Sequence, residues 1–324
     1  MSLKAAVIGV GAMGRHHARV YRELDGVELV GVADPSAENA AFVARRYGVP
    51  TFADHREMLA ATRPDLVSIV VPTKLHLEVA GDAIAAGAGV LVEKPIAATE
   101  DEGRALIAMA REAGVVLTVG HIERFNPAIR ALKQKLVEGA LGRIFSVRAR
   151  RTGPFPARVR DVGVVVDLAT HDLDIMRWLV GSPVTRIHAE TAQRIHTNHE
   201  DLVAGLLRFE SGEIGLLDIN WLTPTKVREL SVTGERGMFV ANYLSQELTF
   251  FENVAADSHW ERYGELQGVG EGNMTRLAIA RREPLAAELD AFAAAVRGEA
   301  PPVVSGEEGL AALALARAVV RAGR

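Results

Sequence analysis

The stretch VVDLATHDLD, residues 165–174, places Asp167 and His171 four residues apart. On a helix that spacing is about one turn, so the two side chains project in the same direction. Such a pair can move a proton. The plainer alternative is a carboxylate near the positive end of a helix beside a satisfied histidine. Asp172 and Asp174 crowd the same turns, while Leu168, Leu173, Ile175, Met176 and Leu179 supply apolar contacts. Proton transfer needs a reaction to serve, and the first third of the chain supplies a candidate.

AAVIGV (5–10) is a short apolar run of the kind that forms a strand buried on both faces. It runs into Gly9, Gly11 and Gly14, with Ala12 and Met13 between the last two. A helix (15–24) and a second strand (27–34) follow, the strand ending at Asp34, 20 residues after Gly14. Strand, glycine turn, helix, strand and acid together form the dinucleotide fingerprint. Gly9 permits the tight turn, Gly11 lets the backbone approach a pyrophosphate, and Gly14 lets helix and strand pack closely. Free N–H groups at the helix start would receive the phosphates. Asp34 would accept bonds from the ribose hydroxyls and repel a 2′-phosphate, which favours NAD over NADP.

Strands and helices continue to alternate through residue 120. DLVSIVVP (65–72), GVLVEKP (89–95) and VVLTVG (115–120) read as buried strands. This order implies a parallel, doubly wound sheet. Ligands in such sheets lie beyond the carboxyl ends of the strands. Pro72, Thr73, His76, Glu93, Lys94, Pro95, Gly120 and His121 cluster at those ends or just beyond them. Lys94 stands where a nicotinamide would lie and could bridge cofactor and substrate hydroxyl. The alternative is a surface lysine paired with a carboxylate. His16 and His17 are expected to have no chemical duty.

The second half differs. Asn126 and Pro127 open a helix (126–142) as N-cap and first helical residue. The strand 143–151 alternates Phe145, Val147 and Ala149 against Arg148 and Arg150. After the Asp167–His171 helix come apparent strands at about 184–192, 202–209, 213–221, 226–233, 237–242 and 246–251. The segment 256–273 has no assignable element. Helices at about 285–297 and from Ser305, with Glu308 as capping partner, close the chain. An open sheet needs cover, which favours a homodimer or homotetramer formed through it.

The bulk properties narrow the classes. The 324 residues favour two domains, and 48% apolar with 24% charged residues is ordinary for a soluble globular protein. The net charge of −4 gives no basic stripe for nucleic acid. The absence of cysteine excludes disulfides and thiolate chemistry. No run approaches about 18 apolar residues and no signal peptide is evident, so no membrane span and a cytoplasmic location are expected. Asp167, His171, His188, His196 and His199 lack tight metal-ligand spacing, so no metal is expected.

Gly9-x-Gly11-x-x-Gly14, Asp34, Pro72-Thr73-x-x-His76, Glu93-Lys94-Pro95 and Asp167-x-x-x-His171-Asp172 resemble the glucose–fructose oxidoreductase / inositol dehydrogenase / MocA family over the whole chain. The resemblance implies an N-terminal Rossmann domain and a C-terminal α/β domain on a large open, mostly antiparallel sheet. The corresponding division is 1–122 and 123–324, with a last helix at about 306–322 packing back on the Rossmann domain. It also implies that Lys94, Asp167 and His171 are catalytic. A narrower resemblance, carried by GHIERFNPAI (120–129) and DVGVVVDLATHDLDIMRWL (161–179), is to UDP-N-acetylglucosamine 3-dehydrogenases. The family's frequent Gly-Gly-Gly is replaced here by Val162-Gly163-Val164-Val165-Val166.

The expected activity is therefore hydride transfer from a sugar hydroxyl carbon to NAD, at C3 of a nucleotide sugar or on a free sugar or inositol. His171 would accept the hydroxyl proton near its ordinary pKa of about 6.5, with Asp167 orienting the ring. Lys94 would hydrogen-bond the reacting hydroxyl, and which of Lys94 and His171 takes the proton first stays open. Arg124, Asn126, Arg151, Arg160 and Asp172 are candidate substrate contacts, the arginines because their fork matches phosphate oxygens. Two alternatives keep the cofactor but change the outcome: a non-catalytic NAD-binding regulator, and an NAD-dependent glycoside hydrolase.

Overall fold

A computed structural model describes residues 2–156, 162–195, 198–255 and 269–323. They form two compact units: Met1–Phe125 with Arg282–Ala314, and Asn126–Arg281 with Leu315–Arg324.

The first unit runs β1 (Leu3–Ile8), α1 (Gly14–Glu23), β2 (Val27–Ala33), α2 (Ala37–Tyr47), β3 (Thr51–Phe52), α3 (His55–Thr62), β4 (Leu66–Ile69), α4 (His76–Ala85), β5 (Gly89–Glu93), α5 (Glu100–Ala113) and β6 (Leu117–Gly120). The strands form one sheet in the order β3-β2-β1-β4-β5-β6, and every pairing is parallel. The two-residue period of β1 explains its continuous apolar sequence. Ala5 and Val7 enter one apolar layer with Ala18 and Tyr21 of α1, while Ala6 and Ile8 enter the other with Val79 and Leu106. Thr99 and Glu102 form a capping box that starts α5.

The second unit contains α6 (Pro127–Val137), β7 (Ile144–Pro154), α7 (Thr170–Val180), β8 (Val184–Ala192), β9 (Leu202–Phe209), β10 (Ile214–Asn220), β11 (Leu222–Gly234), β12 (Gly237–Asn242), β13 (Glu247–Ala255) and β14 (Val269–Arg276). Its sheet has the order β14-β13-β12-β11-β7-β10-β9-β8, antiparallel except for the β10–β7 pair. Val147, Ala149, Leu217, Ile219, Leu230 and Phe239 pack one face against Ile129, Leu132, Leu173 and Met176 of α6 and α7. The eighth strand, β14, has no counterpart among the expected strands. Its sequence, VGEGNMTR, carries two glycines and little β-propensity, and its pairing with β13 makes the strand. Phe145, assigned inward by alternation, is exposed near the start of β7.

The division is not the single cut after residue 122. Helix α8 (Pro284–Val296) returns to the first unit, where Leu285, Leu289 and Phe292 fill the layer that holds Val7, Ala18 and Tyr21. Helix α9 (Gly306–Ala322) starts there too, with a Ser305–Glu308 capping pair and Leu313 packed with Leu117 and Val119. Its later residues Leu315, Ala316 and Val319 belong to the second unit's core. Phe292→Ala should therefore cost about 3–5 kcal/mol of stability although it lies far in sequence from the sheet it covers. Urea unfolding followed by circular dichroism checks this.

Candidate active site

The glycine turn explains its own sequence. Gly9 has φ +85°, and a Cβ there would lie 2.5 Å from the Val70 carbonyl oxygen. A Cβ on Gly14 would lie 1.8 Å from the Gly9 oxygen, a contact no side chain survives. Gly11 is different, because a Cβ there would meet no protein atom within 4 Å. Its freedom has no internal use, as expected where a ligand backbone approaches. Helix α1 begins beside it after Met13, with no side-chain cap, the kind of helix start that can receive an anion. Ala12 is exposed and Met13 half-buried. Asp34 is buried at the end of β2. Its Oδ2 accepts the Val10 N–H at 2.8 Å and its Oδ1 the Ser36 N–H at 2.8 Å. It lines a cavity of about 220 Å³ with Gly9, Ala33, Pro35, Val71 and Leu75. These residues fit an adenosine ribose and a pyrophosphate. A larger opening of about 910 Å³ lies at the other, amino-terminal end of the strands, around Leu3, Asp65, Gly89 and Val116, away from the glycine turn.

Pro72 and Thr73 follow β4, Thr73 beginning a short 3-10 turn. His76, an expected cofactor contact, is 1% exposed. Its Nδ1 lies 2.9 Å from the Pro95 oxygen and its Nε2 3.0 Å from the Val71 oxygen. It therefore straps the loops after β4 and β5 together, and burial pushes its pKa below the ordinary histidine value. Lys94 is half-buried directly after β5. Before it, Glu93 turns its carboxylate back into the unit. Its Oε2 accepts the Lys94 N–H at 3.2 Å and its Oε1 lies 3.1 Å from His17 Nε2. Burial would raise Glu93, but the His17 bond and, after it, the charge and N–H of Lys94 outweigh it and hold the carboxyl below its ordinary range. His17 was expected to be idle. Its one-turn spacing from the buried Tyr21 was the available signal that it points inward. His121 follows β6 and is buried, and Arg124 is buried with its guanidinium on Glu308 at 2.6 Å and the Val303 oxygen at 3.3 Å. The Glu308 and Val303 contacts of Arg124 lie within the first unit.

In the second unit, the expected regular helix around Asp167 is a π-turn, Val165–Ala169, running into α7. Thr170 N–H reaches back five residues to the Val165 oxygen. Glu200 fixes its start: its backbone oxygen accepts the Val164 N–H at 2.9 Å and its Oε1 the Val165 N–H at 3.3 Å. A Cβ on Gly163 would fall about 2.1 Å from that carboxylate. Gly163 is thus the glycine this turn requires, and the valines that follow need no such freedom. Asp167 and His171 sit half-buried on the π-turn and the first turn of α7. Asn126 caps α6 through the Ala128 N–H and donates to the Tyr243 oxygen. Arg151 Nε donates to Asp172 Oδ2 at 2.6 Å, and the guanidinium stacks 4.9 Å from the centre of the Tyr243 ring. Arg151 and Asp172 thus hold each other in the unit's interior. Arg160 and His196 lie outside the described residues, among which no cluster of three metal-ligating side chains occurs.

The first unit is a dinucleotide-binding Rossmann unit by sheet order and glycine turn. Residues 3–121 match the family described as "Oxidoreductase family, NAD-binding Rossmann fold", and residues 129–240 match the GFO/IDH/MocA C-terminal domain. UDP-N-acetylglucosamine 3-dehydrogenase of Acidithiobacillus ferrooxidans is 32% identical over 97% of this chain and 95% of its own. Its crystal structure superposes with a TM-score of 0.87, covering 99% of this chain and 98% of that one. The scyllo-inositol 2-dehydrogenase (NAD(+)) of Bacillus subtilis is 28% identical over 94% and 89% of the two chains. The WlbA dehydrogenase of Bordetella pertussis, solved with NADH and UDP-GlcNAcA, is 26% identical, with a TM-score of 0.82 over 100% of this chain and 97% of that one. The chain belongs to the GFO/IDH/MocA oxidoreductases, NAD-dependent dehydrogenases that act on sugar hydroxyl groups.

Two outcomes follow from the site's packing. Gly11→Ala should leave the melting temperature unchanged while weakening NAD binding at least tenfold, whereas Gly14→Ala should destabilise the fold itself. Thermal unfolding and NADH fluorescence titration separate the two. The lowered pKa of His76 means the unfolded chain binds its proton more readily, so stability should fall as pH drops through about 6.5. In His76→Gln the urea midpoint should vary less between pH 7 and pH 5.

Proposed function

We propose that the protein oxidises a hydroxyl at C3 of a nucleotide sugar, such as UDP-N-acetylglucosamine, to the ketone, with NAD as acceptor. The observation that carries this reading is the 32% identity to a UDP-N-acetylglucosamine 3-dehydrogenase, maintained over 97% of the chain. The likeness to the WlbA dehydrogenase, solved with NADH and UDP-GlcNAcA, supports it.

Bound NAD supplies the hydride acceptor. The chain's own residues bind, orient and move protons. Gly11 and the start of α1 receive the pyrophosphate, and Asp34 receives the ribose hydroxyls and disfavours a 2′-phosphate. His171 accepts the proton of the reacting hydroxyl, and Asp167 orients its ring and stabilises the imidazolium. Lys94 donates a hydrogen bond to the same oxygen and stabilises the negative charge that develops as the C–H bond breaks. Lys94 is the other group able to hold that proton. Arg160 and Arg151 remain candidates for the diphosphate, although Arg151 would act from within its ion pair with Asp172.

A second copy of the chain covers the outer face of the eight-stranded sheet in this reading, giving a homodimer or homotetramer. That face carries Arg148, Arg150, Asp218 and Glu229, with Leu206 and Ile214 exposed beside them, and holds cavities of about 550 and 430 Å³. The reading also places the protein in the cytoplasm. No helix among the described residues is long and apolar enough to cross a membrane.

NADH absorbance with UDP-N-acetylglucosamine should rise, and more slowly or not at all with free N-acetylglucosamine or inositol. Turnover of inositol in place of the nucleotide sugar would move the substrate to the free polyols. Lys94→Ala and His171→Ala should each lower kcat about 10²–10⁴-fold with NAD affinity retained in His171→Ala. Activity surviving both substitutions would remove the assigned chemistry.

A further inference from the structure

Glu288, on α8 of the first unit, is 2% exposed, and neither carboxyl oxygen has a hydrogen-bond partner. Its helix face is set by Leu285, Leu289 and Phe292, which lie in the apolar layer with Ala18 and Tyr21 of α1. Glu288 shares that face through its spacing from Leu285. On α1, His17 and Tyr21 stand one turn apart and are fully buried. Tyr21 Oη is 2.7 Å from Ser68 Oγ, and Glu288 lies near enough to act on it electrostatically. The charge of Glu93 in turn reaches Glu288. Four ionisable groups, His17 and Tyr21 of α1, Glu93 of β5 and Glu288 of α8, therefore share one water-poor region.

Their hydrogen-bonding needs are complementary. An ionised Glu93 can only accept, so His17 Nε2 carries the proton at their 3.1 Å contact. In a singly protonated ring His17 Nδ1 is then a lone-pair acceptor, and it is buried with no donor. A carboxyl buried without donors, beside another carboxylate, takes up a proton; burial first and Glu93 second push Glu288 well above the ordinary value. A proton on Glu288 makes an O–H donor with no acceptor. One buried donor and one buried acceptor, each costly to leave unmade, occur in the same cluster.

We propose that the Glu288 carboxyl donates to His17 Nδ1 through one buried water, completing a Glu288–His17–Glu93 chain that ends on the Lys94 N–H. Glu288 and His17 are positioning residues. They fix the His17 tautomer, which fixes the Glu93 carboxylate, which holds the backbone from which Lys94 extends. Gly120 is part of the arrangement, since a Cβ there would lie 3.1 Å from both Cδ and Oε2 of Glu93. Only the consequence for Lys94 rests on the reading of the protein as a sugar dehydrogenase; the chain of hydrogen bonds does not.

The test is the side-chain ¹⁵N spectrum of His17 in the NAD-bound protein without substrate. The wild type should show an Nε2–H tautomer with a hydrogen-bonded Nδ1. Glu288→Leu should move Nδ1 to the position of a free acceptor, and Glu288→Gln, whose amide can donate, should restore it. With a turned-over sugar, Glu288→Leu should lower kcat about tenfold, the size of one buried hydrogen bond, with KM little changed. Glu288→Gln should recover most of that loss. Should the leucine variant not fold, the infrared carbonyl band of a hydrogen-bonded carboxylic acid, present in the wild type and absent from Glu288→Gln, decides the matter. An unmoved Nδ1 resonance in Glu288→Leu, or a wild-type protein lacking that band, overturns the proposal. Failure to find a sugar substrate leaves both spectra readable and bears on the dehydrogenase reading alone.

Discussion

A carboxylate taken out of water must be met by donors, and Glu93 at the end of β5 is met by two. Much of the first unit's local sequence answers to that requirement. His17 stands on the inward face of α1 to supply one donor. Lys94 supplies the other from its own backbone. Gly120, opposite Glu93 in the parallel register, leaves the space the carboxylate occupies. His76 then ties the following Pro95 carbonyl to the loop after β4. The backbone of the lysine is thus held by its neighbours' hydrogen bonds.

The second unit solves a comparable problem differently. Its polar interior is closed by pairing, with Arg151 against Asp172 and the guanidinium on the face of Tyr243. Removing one member of such a pair leaves an uncompensated charge, so the two stand or fall together. The π-turn at Val165–Ala169 is kept by the Glu200 carboxylate, which needs Gly163 beneath it. Asp167 is presented from a turn whose geometry is enforced from outside, by a residue more than thirty positions away.

The parallel sheet and the glycine turn were legible because their signals are local. Buried strands read as unbroken apolar runs, and Gly9 and Gly14 answer to steric contacts close at hand. The strands of the second sheet were legible where alternation was strong and lost at β14, whose glycines carry no pattern. Contacts distant in sequence stayed hidden. The pairs Arg124–Glu308 and Arg151–Asp172 could not be found from spacing. His17 looked idle because its partner stands 76 residues away. The return of α8 was hidden for the same reason: its apolar stripe shows that it is buried, not where.

That return has a consequence for how the protein is made. Chain elongation delivers β1 through β6 long before Leu285, Leu289 and Phe292 emerge to complete their apolar layer. Nascent nucleotide-binding units must wait with that flank uncovered while residues 126–281 of the second unit are synthesised, the interval in which exposed apolar surface invites chaperones or aggregation. Cutting the gene after residue 125 would make that waiting state permanent.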